Sequence, residues 1–203
     1  MTAELILYTN PMSRGRIVRW MLEEIRADYR VEVIEYGPPM KTPEYLALNP
    51  MGKVPVIRHG RTVVTECAAI CAYLADAFPE AEMAPPLDDR GAYYRWLFFA
   101  AGPLEAAVGD RYLGLEPNAE QQGRVGYGNY ASVIETLEHA VSRTPYIAGE
   151  RFSAADVYVG AHIGWGLTFG TVEDRPAFRD YWARISDRDA YRRATELDDD
   201  AMQ

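Results

Sequence analysis

The beginning of the chain alternates short apolar runs with a segment whose apolar residues recur at helical spacing. Leu5–Tyr8 is one such run, and Val31–Ile34 is a second one that is rich in β-branched residues. The apolar positions between them recur every three or four residues, as in an amphipathic helix. They are Ile17, Val18, Met21, Leu22 and Ile25. The pattern therefore predicts a βαβ unit.

A second helix and a hairpin are predicted to follow. Thr42-Pro43 marks the helix start, because proline is favoured at the first helical position. Residues 54–57 and 62–64 flank the turn at His59-Gly60 and predict two paired strands. A last helix is predicted from apolar residues that share one face. They are Ile70, Tyr73, Leu74, Ala77 and Phe78. The predicted order of elements is β-α-β-α-β-β-α.

The rest of the chain shows only helical periods. Residues 81–89 are rich in proline and charge, so we predict an exposed linker there. It would separate a first domain of residues 1–80 from an all-helical second domain of residues 90–203. Four helices are predicted in the second domain. They are Tyr93–Leu113, Val125–Val141, Ser153–Phe169 and Pro176–Ile185.

Three local signals refine this second domain. Gly102-Pro103 lies inside the first helix and should kink or break it, because proline removes a helical hydrogen bond. Ser153 and Asp156 form a Ser-x-x-Asp capping box, which we interpret as a folding device without a catalytic role. The acidic tail Asp198–Asp200 is expected to be frayed.

Composition favours a globular protein and argues against two kinds of partner. The 203 residues are 48% hydrophobic and 12% aromatic, which is enough to bury a core. The net charge of −9 argues against nucleic acid or an anionic membrane as a partner, because such binding needs clustered Lys and Arg. The N-terminal segment lacks the basic region of a signal peptide, and the longest uncharged run, Val157–Val172, is shorter than a membrane span. We therefore expect a cytoplasmic protein.

The cysteines and histidines do not predict a metal site. Cys67 and Cys71 are the two cysteines, and their spacing matches neither a CxxC redox pair nor a zinc knuckle. His59, His139 and His162 are scattered along the chain. We predict two reduced thiols, buried or half-buried, and no bound metal.

The segment Asn49-Pro50-Met51-Gly52-Lys53-Val54-Pro55 predicts a place where a peptide backbone can bind. Pro55 lies where a strand begins, and a proline there favours a cis bond that turns Val54 outward. The N–H and C=O of Val54 could then pair with an extended ligand as a further strand would. Glu66, with the N–H groups of the helix that begins after Thr65, could hold the charged end of that ligand. The predicted ligand is small, peptidic and anionic.

Together with Asn10-Pro11-Met12-Ser13-Arg14-Gly15-Arg16, this segment resembles the soluble glutathione transferases in a serine-type, bacterial-like form. The resemblance covers nearly the whole chain, since Val54-Pro55, Glu66-Cys67 and the Ser153 to Asp156 box follow in the family's order. It implies an α/β thioredoxin-like N-terminal domain that binds glutathione, followed by an all-α C-terminal domain that lines the electrophile pocket. It also implies glutathione as co-substrate, a homodimer and a role in detoxification.

The resemblance assigns to Ser13 the hydroxyl that stabilises the glutathione thiolate. A cysteine thiol has a pKa of about 8.5, and lowering it by about two units requires about 2.7 kcal/mol. One charge-assisted hydrogen bond of roughly 1.5–3 kcal/mol and a helix N-terminus of roughly 0.3–2 kcal/mol are sufficient. A plain N-cap is the alternative role for Ser13. Tyr8 and Asn10 are alternative donors to the thiolate.

The resemblance also implies a set of glutathione-binding residues. Either lysine of the set would neutralise the glycyl carboxylate, with a solvated surface charge as its alternative role, and Glu66 would meet the γ-glutamyl ammonium. Cys67 departs from the family, which has a serine there whose hydroxyl helps to hold the γ-glutamyl carboxylate. Because a thiol is a weak donor, we expect binding to be weakened or redistributed and not abolished. The full set is Lys41, Lys53, Val54, Pro55, Glu66 and Cys67.

The second substrate is predicted to be a small apolar electrophile. Its pocket would be lined by apolar and aromatic side chains, although aromatics at helical spacing also occur in cores. They are Met12, Phe99, Pro103, Tyr112, Trp165 and Phe169. The predicted function is that of a glutathione transferase. The alternatives are a non-catalytic glutathione-fold binding or regulatory protein, and another glutathione-dependent reaction such as peroxide reduction, isomerisation or reductive cleavage.

Overall fold

The computed structural model describes residues 3–202, and its N-terminal part contains a sheet of four strands. The strands are β1 (Leu5–Thr9), β2 (Arg30–Val33), β3 (Val56–His59) and β4 (Thr62–Thr65). Their order in the sheet is β2-β1-β3-β4, with β1 and β2 parallel and β3 antiparallel to both of its neighbours. The central place of β1 explains its continuous apolar run, since both of its faces are covered.

Three helices accompany the sheet in the chain. They are α1 (Gly15–Glu24), α2 (Pro43–Leu48) and α3 (Cys67–Ala77), with short 3-10 turns at Pro38–Lys41 and Pro79–Ala81. α1 and α3 pack together, and their apolar faces, which include Met21 and Leu74, are buried. The order of elements is the predicted one, and the prediction of a thioredoxin-like N-terminal domain is confirmed.

Residues 84–186 form a second compact unit that is built from helices. The helices are α4 (Gly91–Phe99), α5 (Glu105–Tyr112), α6 (Ala119–Gln122), α7 (Tyr130–Val141), α8 (Ala154–Phe169) and α9 (Pro176–Ser186), preceded by a 3-10 turn at Leu87–Asp89. The π-helical turn Ala100–Leu104, which contains Pro103, separates α4 from α5. The break that the sequence predicts at Gly102-Pro103 is therefore present.

The first turn of α8 is organised around one buried carboxylate. Oδ1 of Asp156 accepts hydrogen bonds from the N–H of Ile147 at 2.7 Å and from the hydroxyl of Tyr181 at 2.8 Å. Oδ2 accepts from the N–H and the hydroxyl of Ser153 at 2.9 and 3.0 Å. Burial raises the pKa of Asp156 to about 6, although these hydrogen bonds act in the opposite direction. The predicted capping box is present, and it ties the start of α8 to α9.

The last helix, α10 (Asp189–Asp200), groups with the sheet. One compact unit comprises the chain up to Met83 together with the segment from Asp187 onward. Within this unit α10 packs along α1. The predicted second domain of residues 90–203 includes this helix, whereas the structure groups it with the N-terminal unit.

The expectation of a frayed acidic tail is wrong. Asp198 is fully buried, and its Oδ1 accepts a hydrogen bond from Nε of the buried Arg19 at 2.8 Å. Trp20 and Tyr191 meet edge to face beside this pair, with ring centroids 4.9 Å apart. The tail is ordered because Asp198 has a buried partner on α1 and Asp199 pairs with Arg16 of the same helix.

Within residues 3–202, no helix is long and apolar enough to cross a membrane.

Candidate functional site

Three strands of the sheet bring separate sequence motifs to one edge. Tyr8 in β1, Val56 in β3 and Thr65 in β4 lie side by side in the register of the sheet. The loop that leads to α1, the segment that enters β3 and the start of α3 all adjoin this row. Motifs that lie far apart in the sequence therefore share one edge of the sheet.

The loop Asn10–Ser13 is folded around the side chain of Asn10. Its Oδ1 accepts a hydrogen bond from the N–H of Met12 at 3.0 Å, and its Nδ2 donates to the C=O of Ile34 at 3.1 Å. Only 5% of Asn10 is exposed. Both polar ends of this side chain are thus engaged in shaping the loop.

The hydroxyl of Ser13 lies at the start of α1 and is half-buried. Its Oγ donates to the C=O of Asn10 at 2.6 Å and accepts from the N–H of Gly15 at 2.9 Å. The oxygen thereby satisfies one N–H of the first helical turn, which has no helical acceptor. The same N–H polarises the hydroxyl and makes it a stronger donor.

Gly15 allows α1 to begin directly against the end of β1. A Cβ atom at this position would lie 1.7 Å from Oγ1 and 2.9 Å from Cβ of Thr9, which is fully buried. Neither distance is compatible with a side chain in the present packing. The glycine of the sequence motif therefore sets how closely the Ser13 loop approaches the sheet.

The peptide bond between Val54 and Pro55 is cis, as predicted. The C=O of Lys53 accepts hydrogen bonds from the hydroxyl of Tyr45 at 2.8 Å and from Nδ2 of Asn49 at 2.9 Å. That C=O and the N–H of Val54 belong to the same peptide plane, so fixing one also orients the other. Within residues 3–202, the N–H and C=O of Val54 have no hydrogen-bond partner. They are available to an extended ligand.

Sequence reasoning did not assign this role to Tyr45. The residue is buried on α2, and burial raises the pKa of Tyr45 to about 12, so its hydroxyl stays protonated and remains a donor at neutral pH. One signal was present in the sequence. Tyr45 lies four residues before Asn49, the first residue of the binding motif, and this spacing brings two side chains to one side of a helical turn.

The two candidate lysines are both exposed but differ in their contacts. Nζ of Lys41 donates to the C=O of Met51 at 3.0 Å and to the C=O of Gly52 at 3.2 Å, which closes the turn before β3. An ammonium has three donors, so one N–H of Lys41 remains for an anion. The side chain of Lys53 reaches solvent.

The start of α3 combines an exposed carboxylate with a buried thiol. Glu66 caps the helix with φ 67° and ψ 118°, a positive φ that is unfavourable for a residue with a side chain. Cys67 is buried, and its Sγ donates to the C=O of Arg14 at 3.4 Å, which links the start of α3 to the start of α1. Cys71 is also buried and forms no disulfide, and burial raises the pKa of its thiol. The prediction of two buried or half-buried reduced thiols is confirmed, since both are buried and neither is in a disulfide.

The predicted electrophile-pocket residues occur in both units. Met12, in the loop before α1, is exposed. In the helical unit, Phe99 ends α4, Trp165 lies half-buried on α8, and Pro103 lies in the π-helical turn. Tyr112 and Phe169 end α5 and α8, and 79% and 74% of their surfaces are exposed. That these side chains form one pocket stays a prediction.

The shared edge of the sheet carries groups that suit an anionic peptide. α1 and α3 both begin there, and helix N-termini favour negative charge because their first N–H groups lack helical acceptors. Val54 adds a backbone donor and acceptor, and Ser13 adds a polarised hydroxyl. This combination can hold an extended peptide and stabilise an anionic sulfur atom beside α1.

Comparison with known proteins agrees with a site that binds an anionic peptide. The sequence model described as "Glutathione S-transferase, N-terminal domain" matches residues 12–77. Glutathione S-transferase hmp2 of Hypomyces subiculosus is 28% identical over 93% of this chain and 96% of its own. Elongation factor 1-gamma 3 of Oryza sativa is 29% identical over 66% of this chain but 33% of its own. The theta class glutathione S-transferase of Xanthomonas axonopodis pv. citri, solved with glutathione bound, is 25% identical with a TM-score of 0.73, covering 96% of this chain and 98% of its own.

A thioredoxin-like domain followed by a helical part is the fold of the glutathione transferases. Residues 12–77 match the N-terminal domain of the glutathione S-transferases, and most of the chain is similar to a protein of that name. The prediction of a glutathione S-transferase enzyme is confirmed by these similarities. The residue that activates glutathione and the second substrate do not follow from these similarities.

Proposed function

We propose that this protein is a cytoplasmic glutathione transferase in which the Ser13 hydroxyl stabilises the thiolate of bound glutathione for attack on a small apolar electrophile. The observation that carries the proposal is the shared sheet edge, where the Ser13 loop, the Val54 peptide and the start of α3 adjoin one row of paired residues. A tripeptide that pairs with Val54 runs along this edge and presents its cysteine to the start of α1.

Ser13 is better suited to this role than its rivals. Asn10 is buried and both of its polar ends are engaged in the loop. The ring of Tyr8 packs edge to face against Tyr45, with centroids 6.4 Å apart. The Ser13 hydroxyl is half-buried and polarised by the N–H of Gly15, and its proton can turn from the C=O of Asn10 to a sulfur anion.

The remaining contacts follow from the ends of glutathione. Glu66 binds the γ-glutamyl ammonium, while the N–H groups at the start of α3, including that of Cys67, bind the neighbouring carboxylate. Lys53 and the third donor of Lys41 neutralise the glycyl carboxylate. Pro55 supports the Val54 backbone between these two ends. We assign no metal to the site.

The transfer itself is a substitution at an electrophilic carbon. The sulfur lone pair forms the new S–C bond. In a substitution, the leaving group, such as chloride from an aryl chloride, departs with the pair of electrons of the broken bond. Ser13 lowers the pKa of the thiol and thereby raises the fraction of the reactive anion at neutral pH.

Replacement of Ser13 tests the proposal. Ser13→Ala should raise the pKa of bound glutathione toward its value in solution and reduce the turnover of an aryl halide by about ten- to a thousandfold. Thiolate absorbance, titrated in the complex, gives the pKa, and calorimetry should give nearly the parent's glutathione affinity. Ser132→Ala, which removes an exposed hydroxyl from α7, is the control and should behave as the parent does. An unchanged titration in Ser13→Ala would transfer the role to Tyr8 or Asn10, whose variants are then measured in the same way.

A non-catalytic binding or regulatory role is the second candidate. Two observations favour it: part of the chain is similar to an elongation factor 1-gamma, and Cys67 occurs where serine is expected. A binding protein would retain glutathione yet turn over neither an aryl halide nor a hydroperoxide. Turnover of the hydroperoxide alone would indicate a glutathione peroxidase, and sedimentation would decide whether the protein is the homodimer that we also propose.

A further inference from the structure

Helices α1 and α10 have complementary charges along their shared length. In α1, Arg16 and Arg19 precede Glu23 and Glu24. Among their partners at the start and end of α10, Arg188 and Arg193 likewise precede Asp198 and Asp199. The two helices are therefore matched when they run antiparallel. The pairs, with their shortest N–O distances, are Arg16–Asp199 at 2.5 Å, Arg19–Asp198 at 2.8 Å, Glu23–Arg193 at 2.5 Å and Glu24–Arg188 at 2.6 Å.

The first of these pairs reaches the loop that carries Ser13. Nε of Arg16 donates to the C=O of Pro11 at 2.6 Å, while Nη2 of the same guanidinium donates to Oδ1 of Asp199 at 2.5 Å. The guanidinium is planar and its donors have fixed directions, so holding one side restricts the other. Arg16 thus connects the loop to the C-terminal helix.

Pro11 depends on this contact more than its neighbours do. A proline has no N–H, so its C=O is its one backbone hydrogen-bonding group. The C=O groups of Asn10 and Met12 have donors of their own, from the N–H of Ser13 at 3.0 Å and the hydroxyl of Tyr36 at 3.1 Å. Arg16 supplies the donor for the remaining carbonyl group, that of Pro11. Its guanidinium is held in turn by Asp199 of α10.

We infer that Asp199 is a positioning residue for glutathione activation: its carboxylate holds Arg16, Arg16 holds the C=O of Pro11, and Pro11 fixes the loop that presents the Ser13 hydroxyl. The inference rests on the proposed function of Ser13. Asp199 does not touch glutathione in this arrangement. Its loss frees the Arg16 guanidinium to turn to solvent and leaves the loop without one of its three carbonyl contacts.

Substitution of Asp199 tests the inference, with its neighbour as a matched control. Asp199→Ala should lower kcat by about three- to tenfold and raise the pKa of bound glutathione, with the glutathione Kd changed by less than about twofold. Asp200→Ala removes the same charge from the next residue, which is exposed, and should match the parent. Asp199→Glu keeps the carboxylate and should restore most of the kcat. A parent-like thiol pKa and kcat in Asp199→Ala, or equal losses in both alanine variants, would overturn the inference.

A second measurement separates this inference from the proposed function. Amide hydrogen exchange at Met12 and Ser13, measured without glutathione, reports directly on the loop and should be faster in Asp199→Ala than in Asp200→Ala. If Ser13→Ala leaves the thiol titration unchanged, the proposed function fails, and the exchange rates still decide whether Asp199 positions the loop. Equal exchange in the two alanine variants would overturn that positioning. A third outcome concerns the case in which Ser13→Ala does shift the pKa of bound glutathione. If Asp199→Ala then exchanges faster but keeps the parent's thiol pKa, the link between Asp199 and activation is overturned.

Discussion

Two helices of this protein, α1 and α8, begin next to a serine, and the two hydroxyl groups have different surroundings. Ser153 is 3% exposed, and its hydroxyl donates to the buried carboxylate of Asp156. That carboxylate also binds the N–H of Ile147 and the hydroxyl of Tyr181. The hydroxyl of Ser13, by contrast, is half-buried and donates to the backbone C=O of Asn10.

The difference shows that the residue type and its place beside a helix do not define a role. Ser153 cannot leave its partner without exposing a buried carboxylate to an apolar interior, which is costly. Ser13 donates to a backbone carbonyl group, and under the proposed function it exchanges that group for the sulfur of glutathione. We therefore expect Ser153 and its partners to determine stability and Ser13 to determine activity.

The largest effect is expected at the centre of the Ser153 network. Asp156→Ala leaves four donors without their acceptor in a buried site and should destabilise the protein by about 3 kcal/mol or more. Denaturant unfolding measures this loss. Asp180→Ala, an exposed aspartate on the neighbouring α9, should cost less than about 0.5 kcal/mol. A loss below about 1 kcal/mol in Asp156→Ala would contradict the structural role that the comparison assigns.

A smaller loss is expected where α1 meets β1. Gly15→Ala introduces a Cβ against Thr9 and should cost about 1–3 kcal/mol, with reduced transferase activity because the Ser13 loop must shift. Gly109→Ala is the matched control, since a Cβ at that helical position in α5 meets no atom within 4 Å. The control should be neutral or more stable by up to about 1 kcal/mol. Equal melting temperatures for Gly15→Ala and the parent would show that the packing at Thr9 adjusts freely.

The two serines can be compared directly by the same substitution. Ser153→Ala should cost about 1–2 kcal/mol of unfolding free energy, and Ser13→Ala less than about 1 kcal/mol. For aryl-halide turnover, measured below the melting range, the order should reverse, with the large loss in Ser13→Ala. A similar stability loss in both variants would mean that Ser13 is mainly a cap.

The smallest effect is expected at the strained start of α3. Glu66→Gly removes the side chain from a residue with φ 67° and should leave the protein as stable as the parent or up to about 1 kcal/mol more stable. Glu66→Ala keeps the strain and should not gain stability. Both variants should bind glutathione more weakly by calorimetry, and parent-like affinity in both would remove Glu66 from the proposed site.

Most of the fold could be predicted because its elements have clear apolar periods. The strands, the break at Gly102-Pro103 and the helical part all follow from such local patterns. α10 could not be predicted in this way, since it is rich in charged residues and its order comes from arginine and carboxylate partners on α1. One of these pairs, Arg19 and Asp198, spans 179 positions of the chain. Periodicity within a short window contains no information about such a partner.

The candidate site was predictable only in part, for a related reason. Val54, Glu66 and Ser13 belong to short motifs whose residue types suggest their chemistry. The hydrogen bond of Tyr45 to Lys53 and that of Arg16 to Pro11 join side chains to carbonyl groups in irregular loops. Such loops follow no repeating pattern, so the contacts that orient a site became visible only in the folded chain.

The pairing of α1 with α10 also affects the order in which the chain can fold during synthesis. A ribosome adds about 5–20 residues per second, so Asp198 emerges roughly 10 to 40 seconds after Arg19. The sheet, α1 and α3 are complete long before then. During that interval the nascent domain carries an uncovered strip with Arg19 and Trp20, and the helix that closes it arrives last.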